Sequence, residues 1–165
     1  MADQLAGQIT EYLKDVFRPE IIIFIISLLP ILELRGGLIA AAILGVEWYI
    51  AFPICVIGNI LPIPFILLFI RKIFEFLKKH GPLKKVVIKL EEKAKNKSKK
   101  IETGKAIGLF SFVAIPLPGT GAWTGALVSD VLQIPIKRSF PIIVLGVITA
   151  GLIMSFISYV IPALF

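Results

Sequence analysis

The chain has 165 residues, 57% of them hydrophobic, a mean hydropathy of +0.91 and a formal net charge of +7. That much apolar surface exceeds what a soluble domain of this length buries, so lipid is the expected solvent and residues 1–165 are expected to form one membrane domain. Thirteen of the eighteen Lys and Arg residues lie within 71–105 between apolar flanks, a pattern that points to membrane orientation and away from nucleic acid. One cysteine and one histidine leave no internal disulfide, metal cluster or nucleophilic dyad, so no cofactor, metal or enzymatic activity is expected.

Residues 1–19 place Leu5, Ile9, Leu13 and Val16 at helical spacing opposite Gln8, Glu11, Lys14 and Asp15. The pattern predicts an amphipathic helix on the membrane surface, ended by Pro19. Residues 21–32 are apolar but fall short of the ~20 residues a crossing needs. The run stops at Glu33-Leu34-Arg35-Gly36-Gly37 and resumes over 38–46. This predicts a re-entrant hairpin, with a kinked full span as the alternative. Residues 48–70 are long enough to cross, with Trp48 and Tyr49 suited to one interface and Arg71 and Lys72 to the other.

Residues 71–105 read as a basic cytoplasmic connection, with a turn at 78–82 and a helix over 84–100. Residues 106–132 are a second broken segment, interrupted by Pro116, Pro118, Gly119, Gly121 and Gly125. Residues 140–163 form a last apolar span in which Gly146 and Gly151 allow close helix packing. Residues 21–70 and 106–163 therefore each read as a broken segment followed by a span. With the basic loop in the cytoplasm the two halves run in opposite directions, as in an inverted-repeat transporter. The rival topology has four full spans with both termini inside, and places Lys137 and Arg138 outside.

Charge at bilayer depth is costly and is normally paired or functional. Glu33 and Arg35 are the only formal charges between Ile21 and Gly45. One reading makes Glu33 a proton or cation site and Arg35 an anion-binding fork. The other pairs them with each other, or with Asp130, to hold the hairpin. In residues 116–125 the glycines permit close approach to backbone, the half-helix beginning near Thr120 offers N–H groups to a phosphate or carboxylate, Thr120 and Thr124 add hydroxyls, and Trp123 lines or wedges the tip. The opposing reading is a tight turn packed on its counterpart. Asp130 is a second proton-site candidate. Asn59 is read as an interhelical hydrogen bond or a ligand. Gly36, Gly37, Pro116, Pro118, Gly119 and Gly121 complete the expected substrate-contacting set.

Three stretches, ELRGGLIAAAILG (33–45), GNILPIPF (58–65) and IPLPGTGAWTGAL (115–127), together resemble the small multi-drug export protein family. That family is similar in turn to the DedA (VTT, SNARE-associated) membrane proteins. The resemblance implies an all-α integral membrane fold built from two inverted re-entrant hairpins, each followed by a transmembrane helix. It also implies transport of polyprenyl phosphate or other phospholipid driven by H+ or Na+. Glu33 stands where the DedA pattern has an acidic residue. Pro116, Thr120, Gly125, Lys137, Arg138 and Phe140 fit the second hairpin and its exit. Val113 and Gly119 depart from it, standing near positions where DedA proteins carry arginines, which leaves Arg35 as the available cation.

The expectation is therefore a transporter in the cell membrane that contacts membrane lipids and dimerises. It moves an anionic lipid or lipid-phosphate, with Glu33 and Asp130 handling the coupling ion. The alternatives are a cation-coupled small-molecule exporter with an aromatic cavity of Trp48, Phe52 and Trp123, and a non-transporting scaffold.

Overall fold

The computed structural model describes residues 7–8, 17–69, 72 and 99–161. Most of the expected surface helix of residues 1–19, and of the basic connection with its helix over 84–100, lies outside the described residues.

The described residues form helices joined by short turns, with no strand among them. The first half contains α1 (Pro19–Leu28), α2 (Glu33–Ile43) and α3 (Trp48–Ile60). Pro19 starts α1 at a position where a missing N–H costs nothing. Pro30 follows its end, and the chain between Leu29 and Leu32 turns back into α2. The break thus falls at Leu29–Leu32 and not at Glu33–Gly37 as the sequence suggested. Gly36 and Gly37 lie inside α2, because a Cβ on Gly37 would strike Ser27 Oγ and come within 2.9 Å of Cys55 Sγ. Two glycines in a row read as a break, yet here they permit tight helix packing. Beyond α3 the chain turns at 61–62, where Pro62 interrupts the ladder, and is helical again over 63–69.

The second half contains α4 (Lys99–Ala114), α5 (Ala122–Val131) and α6 (Ile136–Ser155), with a π-helical turn at Phe156–Val160. Two differences from expectation are positional. Helix α4 begins within the basic segment, and the last span begins at Ile136, taking Lys137 and Arg138 into its first turn. The apolar stretches Trp48–Phe69 and Ile136–Val160, of 22 and 25 residues, are long enough to cross a bilayer.

The halves repeat one another in sequence as well as in element order. Phe52-Pro53-Ile54, Val56, Gly58 and Ile60 recur at identical spacing as Phe140-Pro141-Ile142, Val144, Gly146 and Ile148. Gly37 and Gly125 fall into the same register. The backbone repeats too. Helix α2 closes with Gly45 at φ 69° and Val46 N–H donating to Ala41 O at 2.9 Å. Helix α5 closes with Gln133 at φ 58° and Ile134 N–H donating to Ser129 O at 2.9 Å, the same Schellman geometry. Gln133 adopts without a glycine a conformation that costs about 1–3 kcal/mol.

Packing follows the repeat. A Cβ on Gly58 would sit 2.9 Å from Phe24 O, so α3 lies directly on α1. A Cβ on Gly146 would sit 2.7 Å from Val113 Cβ, so α6 lies directly on α4. Helices α3 and α6 join the halves. Gly151 faces the Phe52 ring, while in the π-helical turn that continues α6 Tyr159 donates its hydroxyl to Val46 O at 2.8 Å, just before α3 begins. Ascending numbers in one helix meet descending numbers in the other, so the two equivalent helices are antiparallel. Ile22, Ile23, Ile26, Leu34 and Leu38 are fully buried between these helices, with Ala51, Cys55, Ile143 and Val147.

Candidate functional site

Breaking a helix inside an apolar layer frees carbonyls at one end and N–H groups at the other, and lipid satisfies neither. The second break, residues 115–121, exposes both sets, and the two charges of the first half reach across to them.

Glu33 is 6% exposed. Its Oε2 accepts the N–H of Ala122 at 3.1 Å and its Oε1 the N–H of Trp123 at 3.2 Å. Those are the first N–H groups of α5, where the helix dipole also favours an anion. Glu33 itself has φ 52°, a left-handed conformation for a non-glycine residue. Gly121, the N-cap of α5, has φ 142°. A Cβ there would collide with Glu33 Oε2 and stand 2.6 Å from Cδ. Glycine is therefore required twice at this position, by conformation and by the approach of the carboxylate.

Arg35 serves the other end of the break. Its guanidinium donates to the carbonyls of Leu117, Thr120 (2.9 Å) and Ile115 (3.5 Å), and to Thr120 Oγ1 at 2.8 Å. The Thr120 hydroxyl lies 2.9 Å from both Ile115 O and Leu117 O and gives its one proton to either. A cation thus meets the negative end of α4 while an anion meets the positive end of α5.

Asn59 is 2% exposed. Its amide lies within reach of the Glu33 carboxylate, and its Oδ1 has no partner. Together with Glu33, Arg35 and Gly121 it lines a cavity of about 10 Å³, room for one water molecule. The cavity sits where the repeats face each other. Glu33 and Gly121, Leu34 and Ala122, Asn59 and Val147 are three pairs of equivalent positions, and all six residues line it.

The structure brings Glu33, Arg35, Asn59, Thr120, Gly121 and Trp123 together. Trp123 contributes its backbone N–H, and its buried indole N–H is unpaired. Thr124 bonds back to Gly121 O at 3.4 Å within α5. Gly36 and Gly37 are buried by helix packing and do not face the cavity. Gly119 forms the exposed turn at φ 81°, between the exposed Pro118 and the half-buried Thr120, and Pro116 precedes it. Asp130 lies near the other end of α5, about 12 Å along the axis from the N–H groups holding Glu33. The N–H groups expected to be open to a ligand are filled by Glu33. Of the aromatic residues, Trp48 is 52% exposed and stacks edge-on against Tyr49 at 6.2 Å, and the Phe52 ring faces Gly151. Val113, Val147 and Ala150 line the cavity and were not anticipated, although the Phe-Pro-Ile repeat marks Val147 as the counterpart of Asn59.

Two apolar helical stretches long enough to cross a bilayer, in a fold that buries a carboxylate against the N–H groups of a helix terminus, are compatible with an α-helical integral membrane protein. A family model described as "Putative small multi-drug export protein" matches residues 33–153, and the chain belongs to that family. No curated protein and no solved structure matches it.

Proposed function

We propose that the protein is a gradient-driven membrane exporter working by alternating access, in which two inverted re-entrant hairpins meet at Glu33 and Arg35. Helix lengths support the hairpins: α1, α2 and α5 have 10, 11 and 10 residues, about half the ~30 Å hydrocarbon layer each. The antiparallel α3 and α6 support the inversion. The basic segment 71–105 belongs on the cytoplasmic side by the positive-inside rule.

The observation that carries the reading is the carboxylate of Glu33 on the N–H groups of Ala122 and Trp123. A proton or Na+ taken up by Glu33 weakens that contact and frees the N-terminus of α5. A substrate anion can then take the vacated N–H groups, with Arg35 as the nearest fixed cation. We assign the substrate to the lipid-phosphates, polyprenyl phosphate or phospholipid, the class to which the DedA resemblance also leads. The family description favours a second reading, export of small molecules. In that case a cationic substrate would take the place of the proton or Na+ at the ionised Glu33 carboxylate and have no need of Arg35.

The test is flipping of a fluorescent polyprenyl phosphate or phospholipid in proteoliposomes, with and without a proton gradient. Wild type should flip in a gradient-dependent way, Glu33→Gln should lose that dependence, and Arg35→Ala should lose flipping. Absence of flipping of any anionic lipid by wild type overturns the lipid reading. Export of a cationic drug by Arg35→Ala but not Glu33→Gln would establish the second.

A further inference from the structure

We propose that the coupling ion is a proton whose O–H on Glu33 is received by the side-chain carbonyl of Asn59, and that Arg35 closes the same site to Na+. The proposal rests on the reading of Glu33 as the coupling-ion site and decides between the two ions left open there.

Asn59 is 2% exposed, and its Oδ1 has no partner in a cavity with room for one water molecule. A buried acceptor without a donor is costly. The backbone does not require an amide there. Val147 holds the equivalent position of the second half, is 1% exposed and lines the same cavity. The amide therefore serves the group it faces, which is Glu33.

An amide suits both protonation states of a carboxyl group, because it carries a donor and an acceptor on one carbon. In the structure its NH2 lies toward the Glu33 carboxylate and Oδ1 is left over. Protonation puts an O–H on one Glu33 oxygen. That oxygen gives up the N–H it accepts from α5, and the amide turns over so that Oδ1 receives the new O–H. One unpartnered amide atom replaces the other. The charge of Glu33 and Arg35 together goes from zero to +1, and a substrate anion restores the balance. Arg35 is the other titratable side chain among the described residues lining the cavity, and it has donors only. Helices α4, α5 and α6 face Glu33 with Val113, Ala122 and Val147.

Sodium needs several oxygens, and in transporters with broken helices the unwound carbonyls supply them. Here the carbonyls of Ile115, Leu117 and Thr120, freed by the second break, accept from Arg35. Gly121 O, next along the chain, accepts the N–H of Gly125 at 2.8 Å and the Thr124 hydroxyl at 3.4 Å. The side-chain oxygens lining the cavity are those of Glu33 and Asn59, too few for the shell of a hard cation. A proton needs one acceptor.

The test is infrared titration of the full-length chain in neutral detergent, in choline chloride and in sodium chloride at equal ionic strength. Subtracting the spectra of Glu33→Gln isolates the C=O band of the Glu33 acid. Its midpoint should be the same in both salts. A Na+ that competes with the proton would lower it by about one pH unit at ten times its dissociation constant, and that shift would overturn the proposal. So would the absence of a Glu33 band at every pH at which the chain stays folded. Asn59→Val should keep the band but move its frequency, because the acid proton loses its acceptor. Packing alone would leave the frequency where it is, so an unmoved band in the folded variant would overturn the role of Asn59. Asn59→Ala gives the same reading should Asn59→Val not fold. These readouts need no transport. A sodium-blind Glu33 band in a protein that flips no lipid supports the proton site and overturns the lipid exporter. Flipping driven by a Na+ gradient supports the exporter and overturns the proton site.

Discussion

Glu33 and Gly121 occupy the same position of the internal repeat, and the carboxylate of the first fills the space that a side chain on the second would need. A repeat that is symmetric in backbone cannot be symmetric in chemistry at its centre. Two carboxylates there would repel each other, and two glycines would leave the N–H groups of α5 without partners in an apolar layer. One half therefore supplies the anion and the other the bare helix terminus. Asn59 and Val147 divide the same way, one polar and one apolar.

Gly121→Ala is expected to destabilise the protein by about 2–4 kcal/mol, combining backbone strain at φ 142° with displacement of the Glu33 carboxylate. The double variant Glu33→Ala/Gly121→Ala should recover part of that loss, with a coupling energy of about 0.5–3 kcal/mol. Denaturant or thermal unfolding in detergent measures both. Simple additivity would mean the two residues do not touch.

Arg35→Lys should not count as a conservative change. The guanidinium reaches carbonyls on both sides of the Pro118-Gly119 turn together with the Thr120 hydroxyl, and a single ammonium cannot cover that arc. Loss of about 1–3 kcal/mol is expected. Thr120→Val should cost less. Because both residues serve one network, the double variant should cost less than the sum. A full sum in the unfolding midpoints would place the two residues in separate networks.

The sequence exposed the participants in this site more readily than their partnerships. Glu33 and Arg35 stand out because charge is rare in an apolar run, and the second break stands out because two prolines and three glycines fall within ten residues. That the charges serve the ends of that break is a long-range relation, across more than eighty residues, that no local pattern encodes. The Gly36-Gly37 pair illustrates an ambiguity of glycine itself, which breaks an isolated helix but permits contact in a packed one. The Phe-Pro-Ile repeat is legible as identity at fixed spacing, and carries Gly58 and Gly146 to equivalent helix contacts.

Those two glycines make a paired test. Alanine at 58 would press on Phe24 O at 2.9 Å, and alanine at 146 on Val113 Cβ at 2.7 Å, so each should destabilise by about 1–3 kcal/mol. Gly108 lies in α4, and a methyl group added there would meet nothing within 4 Å. Gly108→Ala should therefore be neutral or stabilise by up to about 1 kcal/mol through helix propensity. Equal effects at all three positions in thermal melts would contradict the close approach of α1 to α3 and of α4 to α6.

The orientation of the halves can be read from two exposed positions. Glu47 and Lys137 flank equivalent turns, at the N-termini of α3 and α6. Because α3 and α6 are antiparallel, these turns belong at opposite ends of the bundle. Cysteines introduced singly at the two sites, in a Cys55→Ala background, should label from opposite sides of the membrane with an impermeant maleimide. With the basic segment inside, as the proposed topology has it, Glu47→Cys should react on intact cells and Lys137→Cys only after the cells are opened. A topology of four full spans predicts that Lys137→Cys reacts on intact cells. Labelling of both sites from outside would therefore overturn the inverted repeat, whereas opposite labelling would leave Glu33 and Arg35 as the point where two oppositely entering hairpins touch.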